Sequence, residues 1–308
     1  MSEGHIEVKG LRKEYGELIA VDGIDFTVRK GQVFSLLGPN GAGKTTTVEI
    51  LECLRTPSAG EVRILGMGLE QSSKIKRRVG VLPQGFNAFD RLTVKENVDY
   101  FAGMFDDPVD TEELLRWVKL EKRKKELFKN LSGGMKQRVG IAMSLVNDPE
   151  IVFLDEPTTG LDPGARRDVW RMVQGLRDQG KTVLLTTHYM EEAEALSDYI
   201  CIMNKGRIIC RGTPREIINE HGADPVAIVK AAGDKGLEAL IGRFPDCSLM
   251  EDDLKVPIHN SRRIADILNI LDDAEVHYDE VIIKKSTLED VFLKLTGEEL
   301  RGGEEDEE

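Results

Sequence analysis

Short apolar segments separated by polar turns recur along the first two thirds of the chain, and their pattern predicts two kinds of strand. Residues 5–9 and 24–28 alternate apolar and polar positions, as in antiparallel strands with one face in solvent. Residues 33–37, 151–154 and 182–186 are almost continuously apolar, as in strands buried on both faces. Because helical patterns separate these buried strands, we expect a parallel sheet in an α/β fold.

Further segments extend this arrangement. Residues 61–65 and 78–82 predict two more strands, and a hairpin of residues 201–203 and 207–210 turns at Asn204-Lys205-Gly206. Residues 93–127 have a helical pattern that Pro108 and a dense run of charges interrupt. The N-terminal part therefore combines a parallel core, an antiparallel edge and a helical insertion, which we place at about residues 86–147.

The pattern changes near residue 224, where we predict a domain boundary between residues 1–223 and 224–297. The second segment reads strand, helix, two strands, helix, strand, with one more helix at the end. That order is typical of a small ferredoxin-like α+β domain. Residues 298–308 hold seven acids and one Arg, so we predict a disordered acidic tail.

Composition narrows the classes of function. The chain has 308 residues and a formal net charge of −13, which disfavours nucleic acid as a partner. No segment is as long and apolar as a membrane-spanning helix, and the N-terminus has no signal-peptide pattern. The four cysteines lack metal-ligand or CxxC spacing, so we expect reduced thiols and a cytoplasmic location.

The first chemical motif is GPNGAGKT at residues 38–45, which matches GxxxxGK[ST] between a predicted strand and a predicted helix. Glycines allow successive backbone amides to surround phosphate oxygens at the positive end of the helix. Lys44 would reach the β- and γ-phosphates, and the Thr45 hydroxyl would bind Mg²⁺. The motif therefore predicts nucleotide binding.

The second motif is the apolar strand that ends in Asp155 and Glu156. The strand delivers Asp155 to its C-terminal end, where the carboxylate can hold the Mg²⁺ shell. Glu156 follows directly and is suited to activating a water molecule. Two adjacent carboxylates after a buried strand are costly unless a cation is near, which favours a metal-nucleotide site over a solvated acidic loop.

The third segment is Leu131-Ser-Gly-Gly-Met135, which predicts a capped helix start. With the two motifs around it, the chain resembles the ATP-binding-cassette (ABC) ATPases, whose signature is LSGGQ; Met135 departs from that signature. Tyr15, Gln84, the Gly160–Asp162 loop and His188 also match family positions in the same order. The resemblance covers residues 5–220.

The resemblance implies an ABC-type P-loop ATPase fold and a set of roles around ATP and Mg²⁺. It implies that Tyr15 stacks on adenine, that Gln84 links Mg²⁺ and water to the membrane partner, and that His188 senses the γ-phosphate. Glu156, His188, Lys44 and Gln84 would be catalytic, and Thr45, Gln84 and Asp155 would hold the metal. The remaining cofactor contacts would come from Gly38, Pro39, Asn40, Gly41, Ala42, Gly43, Thr46, Ser132, Gly133, Gly134 and Asp162.

In that family two cassettes enclose two ATP molecules, each phosphate loop facing the signature of the other chain. This chain carries one complete set of motifs, so we expect a homodimer in which Ser132, Gly133 and Gly134 serve the ATP of the partner chain. Residues 286–297 resemble the closing motif of drug-resistance-type exporter ATPases. That resemblance implies separate transmembrane permease subunits, a location at the cytoplasmic face of the membrane, and export of a drug, lipid or other small molecule.

Two features bear on partner contacts. Aromatic residues concentrate at positions 86–105, where the family forms a groove for a cytoplasmic helix of the membrane subunit. The last predicted helix carries an apolar stripe of Leu288, Val291, Phe292 and Leu295. We expect that the C-terminal domain uses this stripe to dock on the cassette or on its twin.

Three alternatives to export can be compared with this sequence, and two of them, the importer and the regulatory dimer, remain open. An importer ATPase would be similar through residue 220, but its C-terminal extension would more often be a β-barrel. A soluble non-transport ABC protein would carry two cassettes or a long coiled-coil insertion, and this sequence has neither. An ATP-gated regulatory dimer without a transport role would share every motif above.

Overall fold

The computed structural model describes residues 4–258 and 262–297, which form two compact units. The division falls at Pro214, earlier than the predicted boundary at residue 224, because the helix that starts there groups with the C-terminal unit. The N-terminal unit has two hydrophobic cores and the C-terminal unit has one. The predicted tail at residues 298–308 lies outside the described residues.

The strands of the N-terminal unit build two sheets. In chain order they are β1 (Gly4–Tyr15), β2 (Leu18–Arg29), β3 (Val33–Leu37), β4 (Ala59–Ile64), β5 (Met67–Gly68), β6 (Val79–Leu82), β7 (Ile151–Asp155), β8 (Thr182–Thr187), β9 (Tyr199–Asn204) and β10 (Arg207–Gly212). The antiparallel sheet has the order β2-β1-β4-β5. β1 and β2 are longer than the alternating segments indicated, because register shifts in their pairing interrupt the strict alternation.

The larger sheet has the order β10-β9-β3-β8-β7-β6 and is parallel except for β10 at its edge. Strands β3, β7 and β8 are buried along their whole length, as predicted. Phe34 and Phe153 pack into one core, and Val33 and Val152 pack into the other on the opposite face. Because parallel strands end at the same edge, the segments that follow β3, β7 and β8 meet there.

Helices cover both faces of this sheet. They are α1 (Lys44–Leu51), α2 (Ser72–Lys76), α3 (Val94–Ala102), α4 (Thr111–Trp117), α5 (Gly133–Ser144), α6 (Pro163–Asp178) and α7 (Met190–Leu196). The insertion between β6 and β7 is helical, as predicted, and α3 ends before Pro108. The side chains of Thr93 and Asp110 cap α3 and α4 by accepting backbone N–H hydrogen bonds.

The C-terminal unit has the ferredoxin-like order that the sequence predicted. Its elements are α8 (Pro214–His221), β11 (Val226–Val229), α9 (Gly233–Ile241), β12 (Ser248–Met250), β13 (Asp253–Pro257), α10 (Arg262–Asp273), β14 (Val281–Lys284) and α11 (Leu288–Thr296). The antiparallel sheet runs β12-β13-β11-β14. The predicted strand at residues 276–284 is shorter, because Val276 turns into the core and donates its N–H to the carbonyl of Leu271.

Two hydrogen bonds link α8 and the residues just after it to α11 and the residues just before it. Lys294 Nζ donates to the carbonyl oxygen of His221 at 2.9 Å, and the N–H of Ala223 donates to Ser286 Oγ at 3.2 Å. These contacts explain why α8 groups with the C-terminal unit. Across the described residues, no helix combines the length and apolarity needed to cross a bilayer.

Candidate active site

The phosphate-loop motif lies where the sequence placed it, between β3 and α1, and it lines an open cleft of about 620 Å³. The cleft brings together residues from five separate parts of the chain. Its lining includes Tyr15, Asn40, Gly41, Ala42, Gly43, Lys44, Thr45, Thr46, Gln84 and Glu156, all of which the sequence predicted as site residues. Lys205, at the turn between β9 and β10, also lines the cleft and was not predicted.

Two glycines of this loop are required by close backbone contacts. Gly43 has a φ of 100° at the N-cap of α1, and a Cβ there would overlap the carbonyl oxygen of Ala20. A Cβ on Gly38 would overlap the carbonyl oxygen of Met203. The loop therefore curls against its neighbours in a way that only glycine permits, which leaves its amides available at the start of α1.

Lys44 is buried and turns back on its own loop. Its side chain is 5% exposed, and Nζ donates to the carbonyl oxygens of Gly38 at 2.8 Å and Pro39 at 3.2 Å. Burial lowers the pKa of Lys44, while the charges of Glu156 and Asp155 counteract that effect. A buried ammonium beside free amides is an environment that suits an anion such as a phosphate.

Asp155 ends β7 and is also buried. The hydroxyl of Thr186 on β8 donates to Asp155 Oδ1. Burial raises the pKa of Asp155, and the hydrogen bond from Thr186 opposes this rise. The sequence located Asp155 but gave no sign of Thr186, since the pairing of β7 with β8 is what places the hydroxyl beside the carboxylate.

The carboxylate of Glu156 contacts more of the site's polar side chains than any other group described here. Its Oε2 accepts hydrogen bonds from Gln84 Nε2 at 3.2 Å and from Thr159 Oγ1 at 3.1 Å, and its Oε1 lies 3.8 Å from Lys44 Nζ. His188 Nδ1 lies 3.2 Å from Oε2. The backbone of Glu156 has a φ of 48°, an uncommon conformation for this residue type that directs the chain away from the strand.

The electrostatics of Glu156 favour its charged form. The imidazole of His188 lowers the pKa of Glu156, with a further contribution from the charge of Lys44, against the opposing effect of burial. His188 Nδ1 is itself buried and has no hydrogen bond with suitable angles to any described residue, so the contact with Glu156 is one of proximity. The carboxylate is therefore ionised and able to accept a proton at neutral pH.

Tyr15 stands at the rim of the cleft, at the end of β1. Its side chain is 39% exposed, and two cations flank the ring, with Lys13 Nζ 5.1 Å and Arg55 Cζ 5.6 Å from the centroid. An exposed ring beside the phosphate loop can present a face to a planar base.

Eight predicted residues are outside the lining of this cleft. Gly38, Pro39 and His188 contact the lining residues Lys44 and Glu156, and Asp155 directly precedes Glu156. The other four lie at the starts of α5 and α6. Ser132 caps α5 by accepting the N–H of Met135, and Gly133 and Gly134 begin that helix. Asp162 caps α6 by accepting the N–H groups of Gly164 and Ala165, and those amides lower its pKa. Their separation from the cleft of the same chain fits the predicted contact with a nucleotide on a second chain.

The oxygen donors around the cleft fit a hard cation that is shared with a ligand. Thr45, Gln84 and Asp155 offer hydroxyl, amide and carboxylate oxygens, which Mg²⁺ prefers. No group of three or more His, Cys, Asp or Glu side chains within residues 4–258 and 262–297 could hold a metal alone. Mg²⁺ commonly binds through one or two protein oxygens, phosphate oxygens and water, so this donor set fits a metal-nucleotide complex.

Comparison with known proteins agrees with this geometry. Residues 21–159 match the family model described as ABC transporter. The chain is 41% identical over 309 residues to the Nod factor export ATP-binding protein I of Ralstonia nicotianae, covering 96% of this chain and 95% of that protein. It is 36% identical over 313 residues to the daunorubicin resistance ATP-binding protein DrrA3 of Streptomyces coeruleorubidus, covering 98% of both.

Solved structures match about two thirds of the chain. The dimeric post-hydrolysis state of the ATP-binding cassette MJ0796 bound to ADP and phosphate has a TM-score of 0.61 and 28% identity, covering 68% of this chain and 98% of that one. The structure of an ATP-binding subunit of an ABC transporter has a TM-score of 0.63 and 30% identity, covering 70% of this chain and 93% of that one. The predicted fold class and the predicted family resemblance are confirmed.

Proposed function

This chain belongs to the ABC transporter family of ATP-binding, ATP-hydrolysing subunits, and from that premise we propose that it powers the export of a small molecule through separate membrane subunits. The observation that carries the proposal is the match over nearly the full chain to relatives named for export or drug resistance. That match extends through the C-terminal unit, which an importer cassette alone would not require. The exported molecule would be a drug, a lipid or a compound of similar size.

Nucleotide binding in this proposal uses the cleft as it stands. The adenine stacks on Tyr15, and the backbone amides of residues 38–46 surround the phosphates at the N-terminus of α1. Lys44 moves from the carbonyl oxygens of its own loop to the β- and γ-phosphates, exchanging neutral acceptors for charged ones.

Mg²⁺ bound with the nucleotide would neutralise charge on the β- and γ-phosphates. Thr45, Gln84 and Asp155 would hold it, since their oxygens suit a hard cation. The hydrogen bond from Thr186 orients the carboxylate of Asp155 for this role.

Hydrolysis in this proposal depends on Glu156. The ionised carboxylate accepts a proton from the attacking water as the water oxygen bonds to the γ-phosphorus. The bond between that phosphorus and the β–γ bridging oxygen breaks, leaving ADP and phosphate. Gln84 and His188 are beside Glu156 Oε2 and would hold the water and the γ-phosphate in position.

A second copy of the chain would complete each site. Dimeric ABC cassettes are known among its structural neighbours. In the proposed homodimer, Ser132, Gly133 and Gly134 at the start of α5 face the γ-phosphate bound by the other chain, where helix N-terminal amides favour an anion. Asp162 ends the loop that would cross between the two chains.

The membrane partner has a groove available beside the helical insertion. A cavity of about 270 Å³ is lined by Leu54, Val81, Phe101, Phe105 and Met143, and Leu54 is 61% exposed. An exposed apolar groove of this kind fits a helix of a permease subunit. Through that contact the chain would reside on the cytoplasmic face of the membrane.

Two measurements test this function. Glu156→Gln should bind ATP, lose about 10²- to 10⁴-fold in turnover and accumulate as an ATP-bound dimer, whereas Lys44→Ala should lose binding and turnover together. Copurification of the chain with its membrane subunits, followed by ATPase assays with candidate cargo, then tests transport. Wild-type turnover in Glu156→Gln would remove the base role, and absence of any membrane subunit in the purified complex would favour a regulatory dimer.

A further inference from the structure

The residue that follows His188 carries an aromatic ring that the proposed chemistry does not use. The ring of Tyr189 lies against the imidazole of His188, with centroids 4.1 Å apart and planes inclined by 42°. That imidazole is the group whose Nδ1 lies 3.2 Å from Glu156 Oε2. Tyr189 is not among the residues that line the nucleotide cleft, so any effect that it has on hydrolysis must reach the site through a neighbour.

Hydrogen bonds hold the backbone on both sides of His188. Before it, Thr186 Oγ1 accepts the N–H of Glu156 at 2.9 Å, which joins the end of β8 to the end of β7. After it, Thr187 Oγ1 accepts the N–H of Tyr189 at 3.0 Å. These bonds fix where the side chain of His188 begins, but they leave open its rotation about the two single bonds that carry the imidazole.

Ring packing restricts that rotation. The side chain of His188 is only 15% exposed, and its buried Nδ1 forms no hydrogen bond to any residue that the structure describes. The contact with Tyr189 therefore limits the orientations that the imidazole can take, because closely packed rings cannot pass through one another.

Tyr189 is itself in contact with a cation. The Cζ atom of Arg166 lies 4.5 Å from the centroid of the Tyr189 ring, within the range of a cation–π interaction. Arg166 Nε is buried and has no hydrogen bond among the described residues, so the electron-rich ring is a favourable partner for this charge. In α6 the N–H of Arg166 donates to the carbonyl oxygen of Asp162 at 2.9 Å. The ring is thus anchored to the start of the helix that follows the Gly160–Asp162 loop.

We propose that Tyr189 is a positioning residue for hydrolysis, which keeps the imidazole of His188 beside Glu156. Arg166 supports this role by keeping the ring of Tyr189 in place. The inference rests on the proposed function, in which His188 and Glu156 act on the γ-phosphate and the water. Without the ring, the imidazole would be free to turn away from Glu156 Oε2, and a misplacement of about 1 Å can cost about 10²-fold in rate. Nucleotide binding at the Lys44 loop would not change.

The test uses the full chain with Tyr189→Leu, which keeps an apolar side chain but removes the ring. We expect a kcat lower by about 10- to 100-fold, while the KM for ATP and the affinity for a non-hydrolysable ATP analogue stay within about 2-fold. Tyr189→Phe keeps the ring and should retain a kcat close to that of the wild type. Wild-type kcat in folded Tyr189→Leu, or a Tyr189→Phe variant as slow as Tyr189→Leu, would overturn the proposal.

Arg166→Met tests the anchor, and it provides a second route if Tyr189→Leu does not fold. Methionine has an unbranched side chain without charge, so losing the cation–π contact should lower kcat by about 3- to 10-fold with unchanged KM. Arg171→Met is the matched control, because Arg171 is 61% exposed on the same helix, and it should turn over ATP at the wild-type rate. Wild-type kcat in folded Arg166→Met would contradict the role of the cation.

The His188→Ala background separates this inference from the function on which it rests. If Tyr189 acts through His188, then Tyr189→Leu added to His188→Ala should lower kcat no further. A full additional loss in the double variant would overturn the positioning role while leaving the role of His188 intact. Wild-type turnover in His188→Ala alone would contradict the role of His188 and, with it, that of Tyr189.

Discussion

The two units of this chain differ in what they bury. In the N-terminal unit many polar and charged side chains are nearly inaccessible to solvent: Ser35, Lys44, Thr47, Glu52, Asn97, Thr111, Ser144, Asp155, Thr158, Thr182, Thr186, Thr187 and Glu192. Within its described residues, the C-terminal unit buries only apolar side chains. Its core is built from residues such as Ala227, Phe244, Leu254 and Leu271.

The N-terminal unit buries polar groups that ATP hydrolysis needs, whereas the buried side chains of the C-terminal unit serve only its stability. Burying a polar group without full compensation costs free energy, and the ATPase unit does so at Lys44, Asp155 and Glu192. A core of apolar residues imposes no such cost and needs no particular polar partner. We therefore expect equivalent substitutions in the two units to lower stability by similar amounts, but only those in the N-terminal unit to change ATP binding or turnover.

The largest expected effect is the loss of stability when one buried Phe in each unit is replaced by Ala, which leaves a cavity in its core. Phe34 on β3 and Phe244 after α9 are both buried, and each change to Ala should cost about 3–5 kcal/mol of stability in its own unit. Phe244→Ala should lower the denaturant midpoint of the C-terminal unit and leave ATP affinity unchanged, whereas Phe34→Ala should lose ATP binding as its unit unfolds. Urea titrations followed by circular dichroism and by a fluorescent ATP analogue would measure both.

The same titrations also test whether the two units are independent in stability. Phe89→Ala, at an exposed ring, is the control and should shift neither transition. If Phe244→Ala abolished ATP binding at urea concentrations where the N-terminal unit remains folded, the two units would not be independent in stability.

The second prediction concerns Glu52, which follows α1. Burial, with the charges of Asp155 and Glu49, raises the pKa of Glu52 to about 8 from its ordinary value of 4.5. The folded protein thus keeps a proton that the unfolded chain releases above pH 4.5, so this residue makes stability fall as the pH rises from about 4.5 to 8. Glu52→Gln should remove that loss and stabilise the protein by on the order of 3 kcal/mol above pH 8.

Chemical denaturation at pH 5.5 and pH 9 would measure this gain, which should be much smaller at the lower pH. The exposed acid Glu17, changed to Gln, serves as the control. An equal gain at both pH values would mean that the substitution acts through packing and not through the proton.

Glu52 also marks what the sequence could not predict. The fold class, the phosphate loop, Asp155, Glu156 and the ferredoxin-like order follow from local patterns and motif spacing, and they agree with the structure. The burial of an acid at a helix end depends on what packs over it, and no local pattern encodes that. Thr186 and Thr159 escaped detection for the same reason, since pairing between strands and a loop turn bring them to the carboxylates.

The division between the units shows a related limit. The composition changes near residue 224, yet α8 groups with the C-terminal unit because of its bonds to residues near α11, more than sixty positions away. Contacts of such long sequence separation leave no trace in a local pattern. The strand ending at Lys284 is shorter than predicted because Val276 joins the core from a turn.

The third prediction concerns Tyr15. Stacking of a base on an aromatic ring contributes about 1–3 kcal/mol, so Tyr15→Ala should weaken ATP binding by about 5- to 150-fold. Tyr15→Phe should retain the affinity, and GTP should substitute for ATP because every base has a π-face. Isothermal titration with wild-type protein and both variants would measure these affinities.

Tyr278 in the C-terminal core is the counterpart for this test. Tyr278→Ala should lower the stability of its unit and leave ATP affinity unchanged. Equal ATP affinity in Tyr15→Ala and wild type would place the ring away from the nucleotide.

The smallest expected effect concerns two equivalent helix caps. Thr93 begins α3 in the ATPase unit and Thr287 begins α11 in the C-terminal unit, and each forms a capping box, with Glu96 and Asp290 respectively. Either threonine changed to Ala should cost about 1 kcal/mol of stability, because one backbone N–H loses its acceptor. Replacement by Ser, which keeps the hydroxyl, should restore most of that loss.

Turnover per folded molecule shows whether the cap at Thr93 affects catalysis or only stability. Neither cap touches the cleft around Lys44, so kcat measured at a temperature where both variants are fully folded should equal that of the wild type. In that case the functional demands on the ATPase unit are confined to its buried polar groups and the cleft, and its ordinary helices obey the same rules as those of the C-terminal unit. A lower kcat in Thr93→Ala, with Thr287→Ala unchanged, would instead extend those demands to the helical insertion, where the proposed membrane partner docks beside Phe101.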